Sequence, residues 1–146
     1  MKIIETNIEV DAPLDVVYSC WTNFRELPKF LDEVHSVSRR GGNQLRWRAE
    51  IFGATREGDI EIEELIPNKL ISWRSASGAR NSGALEFEGI DFNRTNIVFC
   101  LIYEEESAVG ENSTNDWEAF KVLADRWLNH FKTYIKQQKT GVLQRY

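Results

Sequence analysis

The sequence is poor in cysteine and histidine, and each shortage excludes a class of chemistry. Its two cysteines, Cys20 and Cys100, are far apart and have no CxxC partner, so they form no disulfide framework, and we interpret them as small core residues. Its two histidines, His35 and His130, do not stand in HxH or HExxH spacing, so we expect no metal site. The GxGxxG, GxxxxGK[ST] and GxSxG motifs are also missing, so the sequence predicts no cofactor and no serine nucleophile elbow.

Long apolar runs and excess positive charge are missing as well. No stretch approaches the ~20 apolar residues of a membrane span, and Glu5, Asn7 and Glu9 interrupt the first ten residues where a signal peptide would have its apolar core. We therefore expect a cytoplasmic protein without stable membrane insertion. The net charge of −5 and the pI of about 5.1 argue against a nucleic-acid partner. A length of 146 residues fits a single domain, 1–146, that needs neither disulfides nor metal to fold.

The strongest positive signal is one amphipathic segment, residues 115–139. Its apolar residues recur at steps of three and four, which is the period of one helix face. These residues are Trp117, Phe120, Leu123, Ala124, Trp127, Leu128, Phe131 and Ile135. A face this rich in aromatic rings must lie against a concave apolar surface.

The chain upstream of this helix alternates apolar and polar residues with the period of a strand. A first strand covers residues 4–10, and two short helices follow up to residue 31, with Asp11 as the expected N-cap. Further strands are predicted at residues 34–40, 44–51, 56–66 and 70–76, around Leu85 and Phe87, and at residues 95–103, with loops at 77–83 and 104–112. Short turns between successive strands favour an antiparallel sheet. The fold class is therefore α+β, with about seven antiparallel strands and a long C-terminal helix.

Three segments of the sequence resemble those of a known superfamily. They read IEVDAPLDVVYSCWTNFRELPKFL, LRWRAEIFGATREGDIEIEELIPNKLISWRSASGARNSGALEF and RTNIVFCLIYE. The chain resembles the START-like, or polyketide cyclase/dehydrase-like (SRPBCC), superfamily from about residue 8 to residue 103, and in outline in the last helix. The resemblance implies the helix-grip fold, a curved antiparallel sheet around the C-terminal helix. The chain departs from the family pattern at Gly58, where the bacterial branch that it resembles commonly carries tryptophan. The glycine could enlarge a cavity, unless Trp117 and Trp127 fill the space.

The fold implied by this resemblance places a cavity between the sheet and the last helix. We expect it to bind a hydrophobic small molecule of lipid-, polyketide- or isoprenoid-like character. Arg56, Asn81 and Tyr103 would orient the ligand, and residues 24–31 and 77–83 would gate its entry. The apolar residues expected to face the ligand are Trp47, Ala49, Ile60, Ile62, Trp73, Leu85, Phe87, Phe99, Leu101, Phe120, Trp127 and Phe131.

Two alternatives stay open at this point. The same cavity could serve a cyclase/dehydrase-type enzyme. However, no acidic and basic side chains stand at a spacing typical of a catalytic pair, and Arg74 is expected to face outward. Catalytic residues therefore remain unassigned. A filled core, with the tryptophans serving only to pack it, would instead favour a protein-interaction module. In that case the apolar row Val98, Cys100 and Ile102, on the strand face opposite to the inward residues, would form a homodimer interface.

Overall fold

Seven antiparallel strands form one sheet, and a long helix lies on it. The computed structural model describes the backbone of residues 2–77, 81–103 and 113–144, and the side chains of residues 3–77, 81–102 and 118–137. In chain order the elements are β1 (Lys2–Val10), α1 (Leu14–Thr22), a 3₁₀ helix (Phe24–Lys29), β2 (Val34–Gly41), β3 (Gln44–Ile51), β4 (Ala54–Ile66), β5 (Leu70–Ser75), β6 (Asn81–Asp91), β7 (Arg94–Tyr103) and α2 (Ser113–Gln144). The sheet order is β1-β7-β6-β5-β4-β3-β2, so β1 and β2 are its two edges. This confirms the predicted helix-grip arrangement.

The boundaries of several elements differ from the prediction, among them the starts of α1 and β6. Helix α1 has Pro13, not Asp11, at its N-cap position, because the Pro13 carbonyl already accepts the Val17 N–H at 3.0 Å. Strand β6 begins at Asn81, so residues 81–83 of the predicted loop are strand. The remaining loop residues 78–80, and the predicted loop 104–112, lie outside the described residues.

The second short helix is a 3₁₀ helix, and it contains Pro28. Proline has no N–H to donate to the helix ladder, and a tight single stretch of 3₁₀ turns tolerates this better than an α-helix does. The segment runs along the edge strand β2, and the Arg39 guanidinium lies 5.9 Å from the centre of the Phe24 ring. The two helices between β1 and β2, together with the residues up to Leu31, form an elbow that covers one flank of the concave face.

Helix α2 lies with its apolar face against the concave side of the sheet, as predicted. The fully buried residues on this face recur at steps of one, three and four along the helix. They are Leu123, Ala124, Leu128, Phe131 and Ile135. Phe120 and Trp127 are half-buried, and the side chain of Trp117 lies outside the described residues.

The dense part of the core is a group of aromatic rings around Phe131 of α2. Phe131 lies 5.0 Å from Trp21 and 4.9 Å from Phe30, measured between ring centres, and Trp21 meets Phe30 edge-on at 4.8 Å. Tyr134 adds a fourth ring, 5.1 Å from Phe30. Edge-to-face pairs at these distances add to the free energy gained by burial. This group joins α1, the 3₁₀ helix and α2.

The convex face of the sheet carries the charges. The acidic row of β4 consists of Glu57, Asp59, Glu61 and Glu63. Arg46 of β3 pairs with Glu57 at 3.4 Å, and Arg74 of β5 pairs with Glu61 at 3.5 Å. These exposed pairs contribute little to stability, about 0–1 kcal/mol each. They identify the solvated face, and they confirm that Arg74 points outward.

Two glycines face tryptophans on the neighbouring strands. Gly58 pairs with Trp47, and Gly83 pairs with Trp73. A Cβ built at Gly83 would lie 2.5 Å from Trp73 Cζ2 and 2.9 Å from the Cys100 carbonyl oxygen, and one at Gly58 would lie 3.2 Å from Trp47 Cζ2. Each indole therefore lies across the glycine beside it. The space next to Gly58 is taken by the ring of Trp47.

The indole that covers Gly83 gives the first prediction. Gly83→Ala should lower the free energy of unfolding by about 1–3 kcal/mol, because the added methyl group overlaps the Trp73 ring and a backbone oxygen. Urea unfolding measures the change. Gly89→Ala on the same strand is the control, since a Cβ there meets Leu14 no closer than 3.6 Å. Equal effects of the two substitutions would contradict the packing of Trp73 on Gly83.

Candidate ligand-binding cavity

A cavity of about 560 Å³ lies between the concave face of the sheet, the 3₁₀ helix and α2. Strands β2 to β7 supply its floor, α2 its roof, and the elbow between β1 and β2 one side wall. Its walls are overwhelmingly apolar, since the register sends alternate residues of each strand inward. The core is therefore not filled, and the tryptophans on this face serve as cavity walls as well as core.

Twelve of the sequence-predicted ligand-facing residues line this cavity. They are Trp47, Ala49, Arg56, Ile60, Ile62, Trp73, Asn81, Leu85, Phe99, Leu101, Phe120 and Trp127.

Three predicted residues are not brought to the cavity lining by the described structure. Phe87 is buried two residues beyond Leu85, where its ring meets Tyr18 of α1 at 5.4 Å between ring centres. Phe131 belongs to the aromatic group with Trp21 and lies outside the lining. The backbone of Tyr103 ends β7, and its side chain lies outside the described residues. Burial on the correct face is therefore not enough to reach the cavity, because α1 covers one end of that face.

The cavity also has walls that were not included in the predicted set. The elbow, predicted only as a gate, contributes Phe24, Leu27 and Leu31 directly to the lining. The other additional residues are Trp21, Val34, Val37, Leu45, Ile51, Thr55, Glu57, Ile71, Ala124 and Leu128. Alternation in β2 and β3 does mark Val37 and Leu45 as inward. No sequence signal tells which side of a short 3₁₀ segment faces a cavity.

Three consecutive residues of α2 connect the roof to both edges of the sheet. On the β1 side, the Thr6 hydroxyl donates to the Asp125 carboxylate. On the β2 side, the Glu33 carboxylate accepts the Trp127 indole N–H at 2.6 Å and the Arg126 guanidinium at 2.5 Å. Glu33 is only 21% exposed, and charge-assisted hydrogen bonds of this kind are stronger than neutral ones. They fix the orientation of the Trp127 ring in the cavity wall.

The rim near the β3–β4 turn carries a strained phenylalanine. Phe52 and Gly53 form a two-residue turn with φ of 54° and 77°, a conformation usually occupied by Asn-Gly. A left-handed φ costs a non-glycine residue roughly 1–2 kcal/mol. The Phe52 ring meets Phe120 of α2 edge-on at 5.2 Å between ring centres. This contact joins the hairpin to the helix beside the cavity.

Polar groups line the cavity toward one end of the strands. Thr55, Arg56 and Glu57 lie at the start of β4, and Asn81 lies at the start of β6. Adjacent strand residues point to opposite faces, so Glu57 turns outward to Arg46 while Arg56 faces the concave side opposite Ala49. The lining thus has an apolar body and a small polar region at its edge.

The two cysteines are half-buried, rather than fully buried core residues. Burial raises the pKa of the Cys20 thiol above its usual range. The pKa of Cys100 is raised as well, mainly by burial and further by the nearby carboxylates of Glu5 and Glu86. Both thiols are therefore protonated at neutral pH, where only a thiolate would act as a nucleophile.

Within the described ranges, no group of three or more histidine, cysteine, aspartate or glutamate residues is placed to hold a metal ion. No described helix combines the length and the apolar character that a bilayer crossing requires.

Comparison with known proteins identifies the family. The sequence profile of the family described as "Polyketide cyclase / dehydrase and lipid transport" matches residues 10–132. This match covers most of the chain, so the chain belongs to that family, the polyketide cyclase/dehydrase-like one that the resemblance indicated.

Similar proteins agree with this assignment. The chain is 28% identical over 144 residues to an uncharacterised 17.2 kDa protein of Streptomyces lincolnensis from the melC2-rnhH intergenic region, covering 97% of this chain and 95% of the relative. It matches a START superfamily protein from Mycobacterium smegmatis with a TM-score of 0.78 and 14% identity, covering 93% of this chain and 98% of the other. It matches the aromatase/cyclase Zhui from Streptomyces sp. R1128 with a TM-score of 0.68 and 16% identity, covering 90% and 89%. At these identities the structural matches show a shared fold.

The contacts of Glu33 give the second prediction. Glu33→Ala should lower the free energy of unfolding by about 1–2 kcal/mol, because it leaves the Trp127 N–H without its acceptor. In a Trp127→Phe background, which keeps a ring but has no N–H, the same substitution should cost less. Urea unfolding of the four proteins in this double-mutant cycle measures the coupling.

Glu50→Ala is the control for this cycle. Glu50 is exposed, and its carboxylate lies 3.7 Å from His35, so its loss should change stability by less than about 0.5 kcal/mol. If Glu33→Ala costs the same in both backgrounds, the hydrogen bond to Trp127 does not stabilise the cavity wall.

Proposed function

We propose that the protein binds one hydrophobic small molecule, of lipid-, polyketide- or isoprenoid-like character, in the cavity between the sheet and α2. The observation that carries this proposal is the combination of a volume of about 560 Å³ with walls made of tryptophan, phenylalanine and aliphatic side chains. Small-molecule sites typically measure about 300–1,000 Å³ and are apolar with a few polar groups. The polar region around Arg56 and Asn81 fits this pattern.

The energetics of an empty cavity also favour a ligand. The cavity is partly open, so its apolar walls are exposed to water when no ligand is bound. Each Å² of apolar surface that a ligand removes from water contributes roughly 25 cal/mol. A bound apolar molecule would therefore be stabilised by the burial of these walls. The family description, which includes lipid transport, supports the same class of ligand.

The twelve predicted residues in the lining are proposed as the ligand contacts. Trp47 and Trp73 offer flat surfaces, because each indole lies across a glycine of the neighbouring strand. Trp127 offers a third ring on the roof, oriented by Glu33. A flat or extended apolar molecule would be held between these rings.

A cyclase or dehydrase that uses the same cavity is the second candidate. It draws on the family description and on the likeness in fold to the aromatase/cyclase Zhui. Within the described lining, the charged neighbours Arg56 and Glu57 point to opposite faces, so they do not form an acid–base pair. Turnover of a polyketide-type substrate that is lost in Arg56→Gln or Tyr103→Phe would favour the enzyme over the carrier.

The homodimer stays a prediction. Val98, Cys100 and Ile102 are half-buried on the convex side of β7, the face that was expected to form the interface. Light scattering coupled to size-exclusion chromatography measures the mass directly, and a monomer would exclude the dimer.

The third prediction tests ligand binding by blocking the cavity. Ala49 is 1% exposed and lines the cavity, so Ala49→Trp places a large ring in the space proposed for the ligand. Native mass spectrometry of freshly purified wild-type protein should show a bound mass that this variant lacks. The variant should also bind the neutral dye N-phenylnaphthylamine at least about tenfold more weakly, because the ring occupies the volume the dye would fill.

Ala84→Trp is the matched control, since Ala84 pairs with Cys100 and faces the convex side. It should retain both the bound mass and the dye affinity. Ala124→Phe blocks the cavity from the roof and repeats the test if Ala49→Trp does not fold. A wild-type protein that carries no ligand and binds no dye would overturn the proposed function.

A further inference from the structure

We propose that the ligand carries one anionic group at its end, and that Arg56 binds this group at the edge of the cavity. The inference rests on the proposed binding function and makes it more specific: the ligand is an apolar molecule with a single terminal carboxylate or an equivalent monoanion.

The position of Arg56 is the first observation. It pairs with Ala49, which lines the cavity, so its side chain lies on the concave face of β4. Its nearest neighbours on that face are small: Ala54 and Gly58 are two residues away on the same strand, and Ala49 is opposite. The long guanidinium side chain therefore has room to extend over the cavity.

The charge balance at this edge is the second observation. Arg56 and Glu57 are the charged residues of the described lining, and Glu57 is already paired with Arg46 at 3.4 Å. Across the described parts of the chain, no carboxylate lies within ion-pair distance of Arg56, whereas Arg126 on the roof is held by Glu33 at 2.5 Å. The cavity edge thus presents one positive charge that the described side chains do not neutralise.

This arrangement selects the chemistry of the ligand. A guanidinium binds a carboxylate through two parallel hydrogen bonds, and the bond is stronger beside an apolar wall than in water. Trp21, Phe24 and Leu27 wall the elbow side of the cavity, and the guanidinium of Arg39, which lies against the Phe24 ring at 5.9 Å, is not part of the lining. An anionic end therefore lies at Arg56, and the apolar body extends inward toward the elbow.

The test compares two ligands that differ only in charge. Dodecanoate and dodecanol share one apolar chain, and each is used to displace the neutral dye N-phenylnaphthylamine from the cavity. Wild-type protein should bind dodecanoate more tightly than dodecanol. Arg56→Gln should weaken dodecanoate by about tenfold, as expected for a lost charge-assisted hydrogen bond, and leave dodecanol within about twofold. The dodecanoate affinity of Arg56→Lys should fall between those of wild type and Arg56→Gln, because lysine keeps the charge but not the paired donors.

Arg48→Gln is the control for net charge. Arg48 pairs with Glu57 in the β3–β4 register and faces the convex side. The substitution therefore removes one positive charge without changing the cavity lining. It should leave both affinities unchanged.

Each other outcome has a definite meaning. The anion preference is overturned if dodecanoate and dodecanol bind equally well to wild type, if Arg56→Gln weakens both alike, or if Arg48→Gln has the effect of Arg56→Gln. In these cases dodecanol and the dye still report a functioning apolar cavity. If neither dye nor dodecanol binds the wild type, the binding function itself fails, and the anion preference fails with it.

Discussion

The structure depends on a helix whose apolar face packs into two separate clusters of buried residues and also forms the roof of a cavity. At one end, Phe131 enters the ring cluster with Trp21 and Phe30. Toward the other, Leu123 packs with Ala49 and Ile51 in a second, smaller cluster. Beside these contacts the indoles of Trp47 and Trp73 lie across neighbouring glycines, and the space above them remains as a cavity. The cavity results from the positions of the indole side chains, rather than from a shortage of apolar residues.

The polar contacts of α2 explain how the hollow is kept open. Asp125 is hydrogen-bonded to the edge strand β1, and Arg126 and Trp127 are hydrogen-bonded to Glu33, the residue before the other edge strand. One helical turn thereby joins both margins of the curved sheet. A helix held from both sides cannot easily settle into the void beneath it. The same contacts that close the fold therefore preserve its interior space.

The fold could be read from the sequence because two periodic signals dominate it. The apolar spacing of α2 and the alternation of the strands depend only on local geometry, and they placed Trp47, Ile60 and Trp73 on the inward face. The extent of the cavity could not be read in this way. Leu85 and Phe87 share a strand and a face, yet α1 covers only the second. Such coverage depends on distant elements, and so does the inward direction of the elbow side chains.

Gly58 shows a similar limit at a single residue. The sequence allowed two outcomes for the missing side chain, a larger cavity or a space filled from the helix by Trp117 or Trp127. The structure shows a third, in which Trp47 on the adjacent strand covers the position, with its Cζ2 atom 3.2 Å from where a Cβ would stand. A cross-strand partner is known only once the register is known.

The tryptophans have an optical consequence. Four of the five in the chain, Trp21, Trp47, Trp73 and Trp127, border the cavity. Indole emission responds to the polarity of its surroundings and is quenched by absorbing molecules nearby. The protein thus contains a built-in spectroscopic reporter, because these four indoles border the space that a ligand would occupy.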